Sequence, residues 1–186
     1  MFQKLYQLSA HGAGCSNDCH VKSSTHEVSV TLSGIAIVHK IVIDSRRQLL
    51  SLFRDSELMM EAPVSTSRFG LGFENGSRKT PTGTFRIDQK IGGETPFGTV
   101  FRGRKPVTTP VDWSTERDLI TSRILWLDGL DEENAQTKAR YIYIHGTNEE
   151  KSIGQAASSG CIRMRNADVI RLFDHVEVGT LVEIVG

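Results

Sequence analysis

One histidine and one cysteine near the C-terminal end of the chain have side chains and a spacing that suit acyl transfer. Fifteen residues separate His145 from Cys161 within "IHGTNEEKSIGQAASSGCIRM", residues 144–164. A cysteine attacks as its thiolate, and an ordinary thiol is only slightly ionised at neutral pH. A histidine within hydrogen-bond reach takes the thiol proton and later returns it to the leaving group. The two residues are therefore a candidate nucleophile and base.

Two other interpretations of the pair remain open on spacing alone. His145 and Cys161 would also serve as metal ligands, although a site made from them needs a third and a fourth ligand that the neighbouring residues do not offer. Both residues would equally serve structural roles, since an isolated cysteine usually behaves as a small buried hydrophobe. The residues by themselves leave all three readings standing.

The residues just before the cysteine predict a tight turn. Ser159 and Gly160 precede Cys161, and the glycine removes side-chain bulk beside the sulfur. Backbone N–H groups around such a turn are suited to stabilising the oxyanion of a tetrahedral intermediate. We therefore expect this turn to lie close to the reacting carbonyl.

A strand is expected to carry the histidine. The segment "RYIYIHG", residues 140–146, is rich in aromatic and β-branched residues. Because successive strand side chains point to opposite faces, Tyr141, Tyr143 and His145 share one face, and Ile142 and Ile144 share the other. His145 is thus predicted at a strand end, beside aromatic rings.

The rest of the chain reads as a mainly β domain of many short strands with one short helix packed on it. Asn166 is predicted as the N-cap of that helix, over 166–176, with Asp168 in the first turn. Residues 89–122, rich in glycine and proline, are predicted as a long surface loop. The other predicted strands lie in 34–44, in 46–66 as a pair around a polar turn at 54–56, and in 84–87, 123–130 and 179–185.

Length and charge limit the organisation and the partners. A chain of 186 residues fits one domain, with residues 1–27 as a polar, irregular N-terminal segment and 28–186 as the folded part. Lysine and arginine total 22, as do aspartate and glutamate, so no overall field draws the protein to nucleic acid. The apolar stretches are too short to span a membrane, and the first residues show no signal peptide.

The three cysteines argue against a disulfide scaffold, because an odd count leaves at least one thiol free. Four residues of metal-binding type lie close together near the N-terminus and suggest a small metal site by their spacing alone: His11, Cys15, Cys19 and His20. A zinc site normally takes a second ligand pair from an ordered segment, and none is evident. We therefore predict no metal and no cofactor.

The histidine-to-cysteine segment closely resembles the active-site signature of the YkuD-type L,D-transpeptidases. That signature is a histidine followed by glycine, then a serine-x-glycine-cysteine-x-arginine segment. Further matches follow in the same order along the chain: Gln48 and Leu49, "PVST" at 63–66, "TPTGTFRI" at 80–87, "YIYIHGT" at 141–147 and "NADVIRLFDHVEVGTLVEIV" at 166–185. The resemblance implies the family's mixed β-sandwich or barrel over residues 28–186, with one short packed helix.

The resemblance also implies an activity on the bacterial cell wall. Cys161 would be acylated by a peptidoglycan tetrapeptide stem, release D-alanine and pass the acyl group to an amine, which makes a 3→3 cross-link. Water as acceptor would make the protein an L,D-carboxypeptidase or hydrolase instead, and the sequence does not separate the two. A catalytically silent wall-binding module is a third hypothesis. The implied partners are peptidoglycan stem peptides and carbapenem-type inhibitors, and the implied location is the cell envelope or periplasm, with the cytoplasm as the alternative.

The family's site residues carry over one by one. Cys161 would be the nucleophile and His145 the general base and acid. The backbone carbonyl of Gly146 would orient the imidazole, and the N–H groups of Gly160 and Cys161 would form the oxyanion hole.

Two further positions carry less defined expectations. Ser159 stands two residues before the cysteine, where many family members have histidine, so a contribution from that side chain is open. Arg163 would either hold the shape of the site or meet a substrate carboxylate.

Overall fold

The computed structural model describes residues 38–114 and 118–186, and these are mainly strands. They contain ten strands, one α-helix and a short 3₁₀ helix at Glu150–Ser152. The strands are β1 His39–Asp44, β2 Leu49–Arg54, β3 Glu57–Ser65, β4 Gly83–Ile91, β5 Val100–Arg102, β6 Lys105–Pro106, β7 Ile120–Gly129, β8 Tyr143–Thr147, β9 Ile162–Met164 and β10 Leu181–Val185. The helix, α1, is Asn166–His175. The prediction of a mainly β fold with one short helix is confirmed.

Eight of the strands close into a ring. Their order is β4-β10-β1-β2-β3-β9-β8-β7, and β7 pairs back onto β4. Strands β5 and β6 form a hairpin attached to the start of β7. Closure pairs both edges of each ring strand, which removes the open edges that would otherwise invite aggregation.

Alternating apolar residues fill the inside of the ring. Ile41 and Ile43 of β1 and Leu50 and Leu52 of β2 are fully buried. On the far side of the core, α1 packs against β7 and β8. Its apolar stripe of Val169, Leu172 and Phe173 joins the same core as Ile144 of β8 and Ile162 of β9. The helix therefore supports the strands on the face opposite the one that carries His145.

The prediction of a long loop over residues 89–122 is wrong. Strand β4 continues to Ile91, the β5–β6 hairpin occupies part of 100–106, and β7 begins at Ile120. The glycines and prolines mark turns between short elements, and strands of two or three residues are too short to show a period. Pro106 lies in β6, the last strand of the sheet order, where a missing N–H costs no ladder bond.

The prediction that Asn166 caps the helix is also wrong. Arg165 is the N-cap residue and makes no side-chain cap. The Asn166 side chain is buried, where its Nδ2 donates to the carbonyl of Thr147 at 2.9 Å and its Oδ1 accepts from the hydroxyl of Thr121 at 2.6 Å. The Asn166 N–H donates to the Glu150 carboxylate at 2.8 Å, so a side chain from the preceding loop satisfies this free donor of the helix.

Within the described ranges, no helix is long and apolar enough to cross a bilayer. Residues 38–114 and 118–186 also hold no cluster of three His, Cys, Asp or Glu side chains that would bind a metal. The histidines and cysteines at positions 11–20 lie outside the described residues.

Candidate active site

Parallel pairing of β8 and β9 brings the histidine and the cysteine to one sheet face. His145 is opposite Arg163, and Ile144 is opposite Ile162. Cys161 directly precedes β9, so side-chain alternation places it on the same face as His145 and Arg163. Ile144 and Ile162 point to the opposite face, into the core. The site therefore lies on the sheet face opposite the core.

His145 and Cys161 line one small cavity of about 110 Å³. Its remaining lining residues are Asp118, Ile120, Ser158 and Ser159. A wider groove of about 910 Å³ runs past Phe97, Trp113 and residues 148–152. The catalytic candidates thus line the same small cavity, and the larger groove includes Glu149 and Ser152, which contact Arg163.

The imidazole of His145 is held in one tautomer by its own strand. Its Nδ1 lies 2.7 Å from the carbonyl oxygen of Gly146, so Nδ1 carries the proton and Nε2 is left as an acceptor. The side chain is buried, and this burial lowers the pKa of His145. Near neutral pH the residue is therefore a neutral base with a free nitrogen.

The thiol of Cys161 is also neutral at rest. Its Sγ donates to the carbonyl oxygen of Tyr141 at 3.3 Å. Burial raises the pKa of Cys161 to about 11, and the nearby Asp118 carboxylate also acts in this direction. Two neutral groups therefore share the cavity.

Tyr141 differs from its predicted place on the strand. Strand β8 begins at Tyr143, and Tyr141 has a left-handed backbone with φ of 58°. Its side chain is 53% exposed, and its carbonyl receives the Cys161 thiol. The prediction of a strand from 140 is therefore wrong at its first residues, because a turn that delivers this carbonyl interrupts the alternation.

The turn before Cys161 depends on a glycine and two hydroxyls. Gly160 has φ of 126°, a conformation that costs little only for glycine. The Gly160 N–H donates to Ser158 Oγ at 3.2 Å, and Ser158 Oγ donates to the Cys161 carbonyl at 2.6 Å. The Gly160 carbonyl accepts from Thr80 Oγ1 at 2.9 Å. Since its amide is occupied here, the predicted oxyanion role of Gly160 stays a prediction.

Ser159 lines the cavity and meets a cation. Its Oγ accepts a hydrogen bond from Arg78 Nη2 at 3.3 Å. Arg78 comes from the loop between β3 and β4, far away in the sequence. At the position two residues before Cys161, this chain therefore combines a serine with a guanidinium from another segment.

Arg163 is a buried anchor. Its side chain is 1% exposed, and Nη1 lies 2.9 Å from both the Asp118 and the Glu149 carboxylates. Nη2 donates to the hydroxyls of Ser65 at 3.2 Å and Ser152 at 3.1 Å. Of the two roles expected for Arg163, this geometry favours holding the site's shape.

Sequence reasoning missed Asp118 and Thr80 as parts of the site. Asp118 lines the cavity with a left-handed backbone, φ of 58°, in a region predicted as loop. No local pattern marks it. Thr80 is fully buried and begins the "TPTGTF" segment, so its only sequence signal was the family resemblance.

Comparisons with known proteins agree on one family. The model of the L,D-transpeptidase catalytic domain, YkuD, matches residues 39–184. A probable L,D-transpeptidase ErfK/SrfK of Salmonella typhimurium is 56% identical over 46 residues, which are 25% of this chain and 15% of that protein. The putative L,D-transpeptidase YqjB of Bacillus subtilis is 52% identical over 46 residues, or 25% of this chain and 26% of that protein. The matched part thus covers about a quarter or less of these curated relatives.

Solved structures show the same fold. An L,D-transpeptidase from Mycobacterium smegmatis superposes with a TM-score of 0.53 at 18% identity, covering 81% of this chain and 59% of that one. L,D-transpeptidase 3 from Mycobacterium tuberculosis, solved with a faropenem-derived adduct, gives a TM-score of 0.54 at 15% identity, covering 81% and 61%. Because the family model matches nearly the whole described part, the chain belongs to the family of YkuD L,D-transpeptidase catalytic domains.

Proposed function

We propose that this protein is a cysteine-dependent L,D-transpeptidase of the cell envelope. A peptidoglycan tetrapeptide stem acylates Cys161, D-alanine leaves, and an amine on a second stem takes the acyl group to form a 3→3 cross-link. The observation that carries the proposal is the shared cavity of His145 and Cys161, with the imidazole tautomer set by Gly146. Membership of the L,D-transpeptidase family supports the same chemistry.

The first step is acylation. As Sγ of Cys161 attacks the stem carbonyl, Nε2 of His145 accepts the thiol proton. The Gly146 carbonyl keeps its hydrogen bond to Nδ1–H and favours the imidazolium that forms, as a carboxylate does in serine hydrolases. The imidazolium then gives its proton to the departing amine of D-alanine, and a thioester remains.

Backbone donors of the turn are assigned to the oxyanion. The N–H of Gly160 now donates to Ser158 Oγ, so binding of a substrate oxygen would replace that bond. The Ser158 hydroxyl also donates to the Cys161 carbonyl, so it would keep a partner after the exchange. Backbone N–H groups aimed at the oxygen where negative charge develops stabilise the tetrahedral intermediate.

The second step decides between the transpeptidase and the carboxypeptidase or hydrolase. Both use the same thioester, and they differ in whether an amine or water reaches it. Incubation with purified tetrapeptide muropeptides and mass analysis of the products separates them, since transfer yields a dimer and hydrolysis a shortened monomer. We expect the dimer.

Intact-mass measurement after exposure to a carbapenem tests the nucleophile. Wild-type protein should gain one inhibitor mass, Cys161→Ala should gain none, and the matched control Cys15→Ala should behave as wild type. The alanine variant should remain folded because the volume change is small. An adduct on Cys161→Ala, or unchanged turnover by it, would contradict the assignment of Cys161 as nucleophile. A wild-type protein that forms no adduct and turns over no muropeptide would favour the silent wall-binding module.

A further inference from the structure

Two arginines from separate segments contact residues around the catalytic cavity: Arg78 reaches Ser159, and Arg104 reaches Tyr143. Arg78 comes from the loop between β3 and β4, and Arg104 from the turn of the β5–β6 hairpin. We call these two residues the cationic rim. Both have left-handed backbones, with φ of 62° and 66°. Such conformations are costly for residues other than glycine and concentrate at functional sites.

Arg104 is held over the aromatic rings beside the nucleophile. Its guanidinium carbon lies 4.5 Å from the Trp126 ring centroid and 5.1 Å from that of Tyr141. Its Nη1 donates to the hydroxyl of Tyr143 at 3.1 Å. Tyr141 is the residue whose carbonyl receives the Cys161 thiol. Arg104 and the sulfur thus share contacts with the same tyrosine.

Arg78 lies against the turn that precedes the nucleophile. Its Nη2 reaches Ser159 Oγ at 3.3 Å, and its guanidinium carbon lies 4.5 Å from the Phe69 ring centroid. The Arg78 carbonyl oxygen would lie 3.5 Å from a Cβ placed on Gly160. The backbone and the side chain of Arg78 therefore both border the catalytic turn.

The rim charges are not neutralised by the part of the chain that the structure describes. Among residues 38–114 and 118–186, neither Arg78 nor Arg104 forms an ion pair with a carboxylate, whereas Arg163 forms two. A guanidinium stacked on a ring keeps further N–H donors at its edge, and a carboxylate matches that edge in a bidentate manner. Stacking also reduces the side-chain freedom that binding would otherwise cost.

We propose that the cationic rim binds free carboxylates of the acyl donor, so that Cys161 reacts preferentially with anionic substrates. That the donor is a stem peptide rests on the proposed function. A stem peptide suits the rim because its terminal D-alanine carries a free carboxylate. The charge preference of the site does not depend on that identity. Arg163, buried between two carboxylates, is not required to contact the substrate.

Alkylation of Cys161 measures the charge preference directly. Iodoacetate and iodoacetamide have similar size and differ in charge, so the ratio of their rate constants cancels any change in thiol pKa. Peptide mass mapping reports modification at Cys161 separately from Cys15 and Cys19. The ratio is measured for wild type, Arg78→Gln, Arg104→Gln and the double variant. Arg171→Gln, at an exposed position of α1, is the matched control.

Each rim substitution should lower the iodoacetate-to-iodoacetamide ratio about two- to fivefold, the range of an exposed ion pair. Arg104→Lys should retain part of the preference, and added salt should reduce the wild-type ratio. Arg171→Gln should match wild type. Equal ratios in wild type and both rim variants, with circular dichroism showing intact folds, would overturn the proposal.

Peptide substrates separate this inference from the proposed function. Wild type should exchange the terminal residue of a tetrapeptide acid faster than that of its C-terminal amide, and the double variant should reduce that difference. If wild type turned over neither peptide while the alkylation ratios shifted as expected, the transpeptidase assignment would fail and the carboxylate-binding rim would stand. Turnover of acid and amide at equal rates would overturn the rim's role toward donors.

Discussion

The hydroxyl of Thr80 donates a hydrogen bond to the carbonyl oxygen of Gly160, 2.9 Å away and 80 residues later in the chain. The same hydroxyl accepts the N–H of Ser67 at 3.0 Å, so one fully buried side chain joins the β3–β4 loop to the catalytic turn. Because Gly160 directly precedes Cys161, Thr80 helps fix the position of that residue. This contact explains what the "TPTGTF" segment contributes to the site.

Thr80→Val should destabilise the protein and slow acylation. The variant keeps the shape of the side chain but leaves the Gly160 carbonyl and the Ser67 N–H without their partner, and a buried unsatisfied group costs about 1–3 kcal/mol. Urea unfolding measures the loss, with the exposed Thr109→Val as control. Unchanged unfolding and unchanged carbapenem acylation would show that the contact is dispensable.

Arg163→Met should lower the free energy of unfolding by about 3–5 kcal/mol, because it removes the buried guanidinium that pairs with the Asp118 and Glu149 carboxylates. Arg163→Lys should cost less, since it keeps the charge and loses only part of the donor set. The control is Arg54→Met, which removes an exposed pair with Glu57 and should cost at most about 1 kcal/mol. Equal losses at both arginines would contradict the anchoring role.

The alkylation rate of Cys161 by iodoacetamide should keep rising with pH through about 11. Burial raises the pKa of this thiol to about 11, so the reactive thiolate accumulates only above the range of an ordinary cysteine, near 8.5. A small peptide thiol in the same buffers gives the reference curve. A plateau reached below pH 8 would mean that Cys161 and His145 rest as an ion pair, contrary to the neutral pair described above.

His145 should make the protein less stable in acid. Burial lowers its folded-state pKa below 6.5, so below pH 6.5 the unfolded chain binds more protons than the folded one and the free energy of unfolding falls. His145→Gln should therefore lose less stability than wild type between pH 7 and pH 5, as measured by urea unfolding. Between pH 7 and pH 8 the free energy of unfolding should change with pH in the same way for both proteins. If the variant lost more stability in acid than wild type, the direction assigned to the His145 pKa shift would be wrong.

Local pattern was enough to single out His145 and Cys161 as candidates and to locate most of the strands. The paired strands around 54–56 appear as β2 and β3, and the apolar stripe of 166–176 appears as α1 over Asn166–His175. Alternation and helical period are properties of adjacent residues, so they can be read without knowledge of the fold. The family resemblance then supplied the expected barrel, which the closed ring of strands confirms.

Local pattern failed where a residue's role depends on a distant partner. Asn166 has the residue type of a helix cap, but its side chain forms hydrogen bonds with hydroxyls of β7 and a carbonyl of β8 instead. Tyr141 alternates correctly with its neighbours, yet its backbone turns to present a carbonyl to the thiol.

The sequence by itself determined which residue types were available for acyl transfer and roughly which strands carry them. The tertiary structure decided that Thr80 supports the turn before Cys161, that Arg163 is buried between two carboxylates and that Arg78 and Arg104 contact Ser159 and Tyr143. The physical reason is that these contacts join segments far apart in the chain. These contacts form when the ring closes, because closure buries the apolar strand faces and the polar groups buried beside those faces must find hydrogen-bond partners.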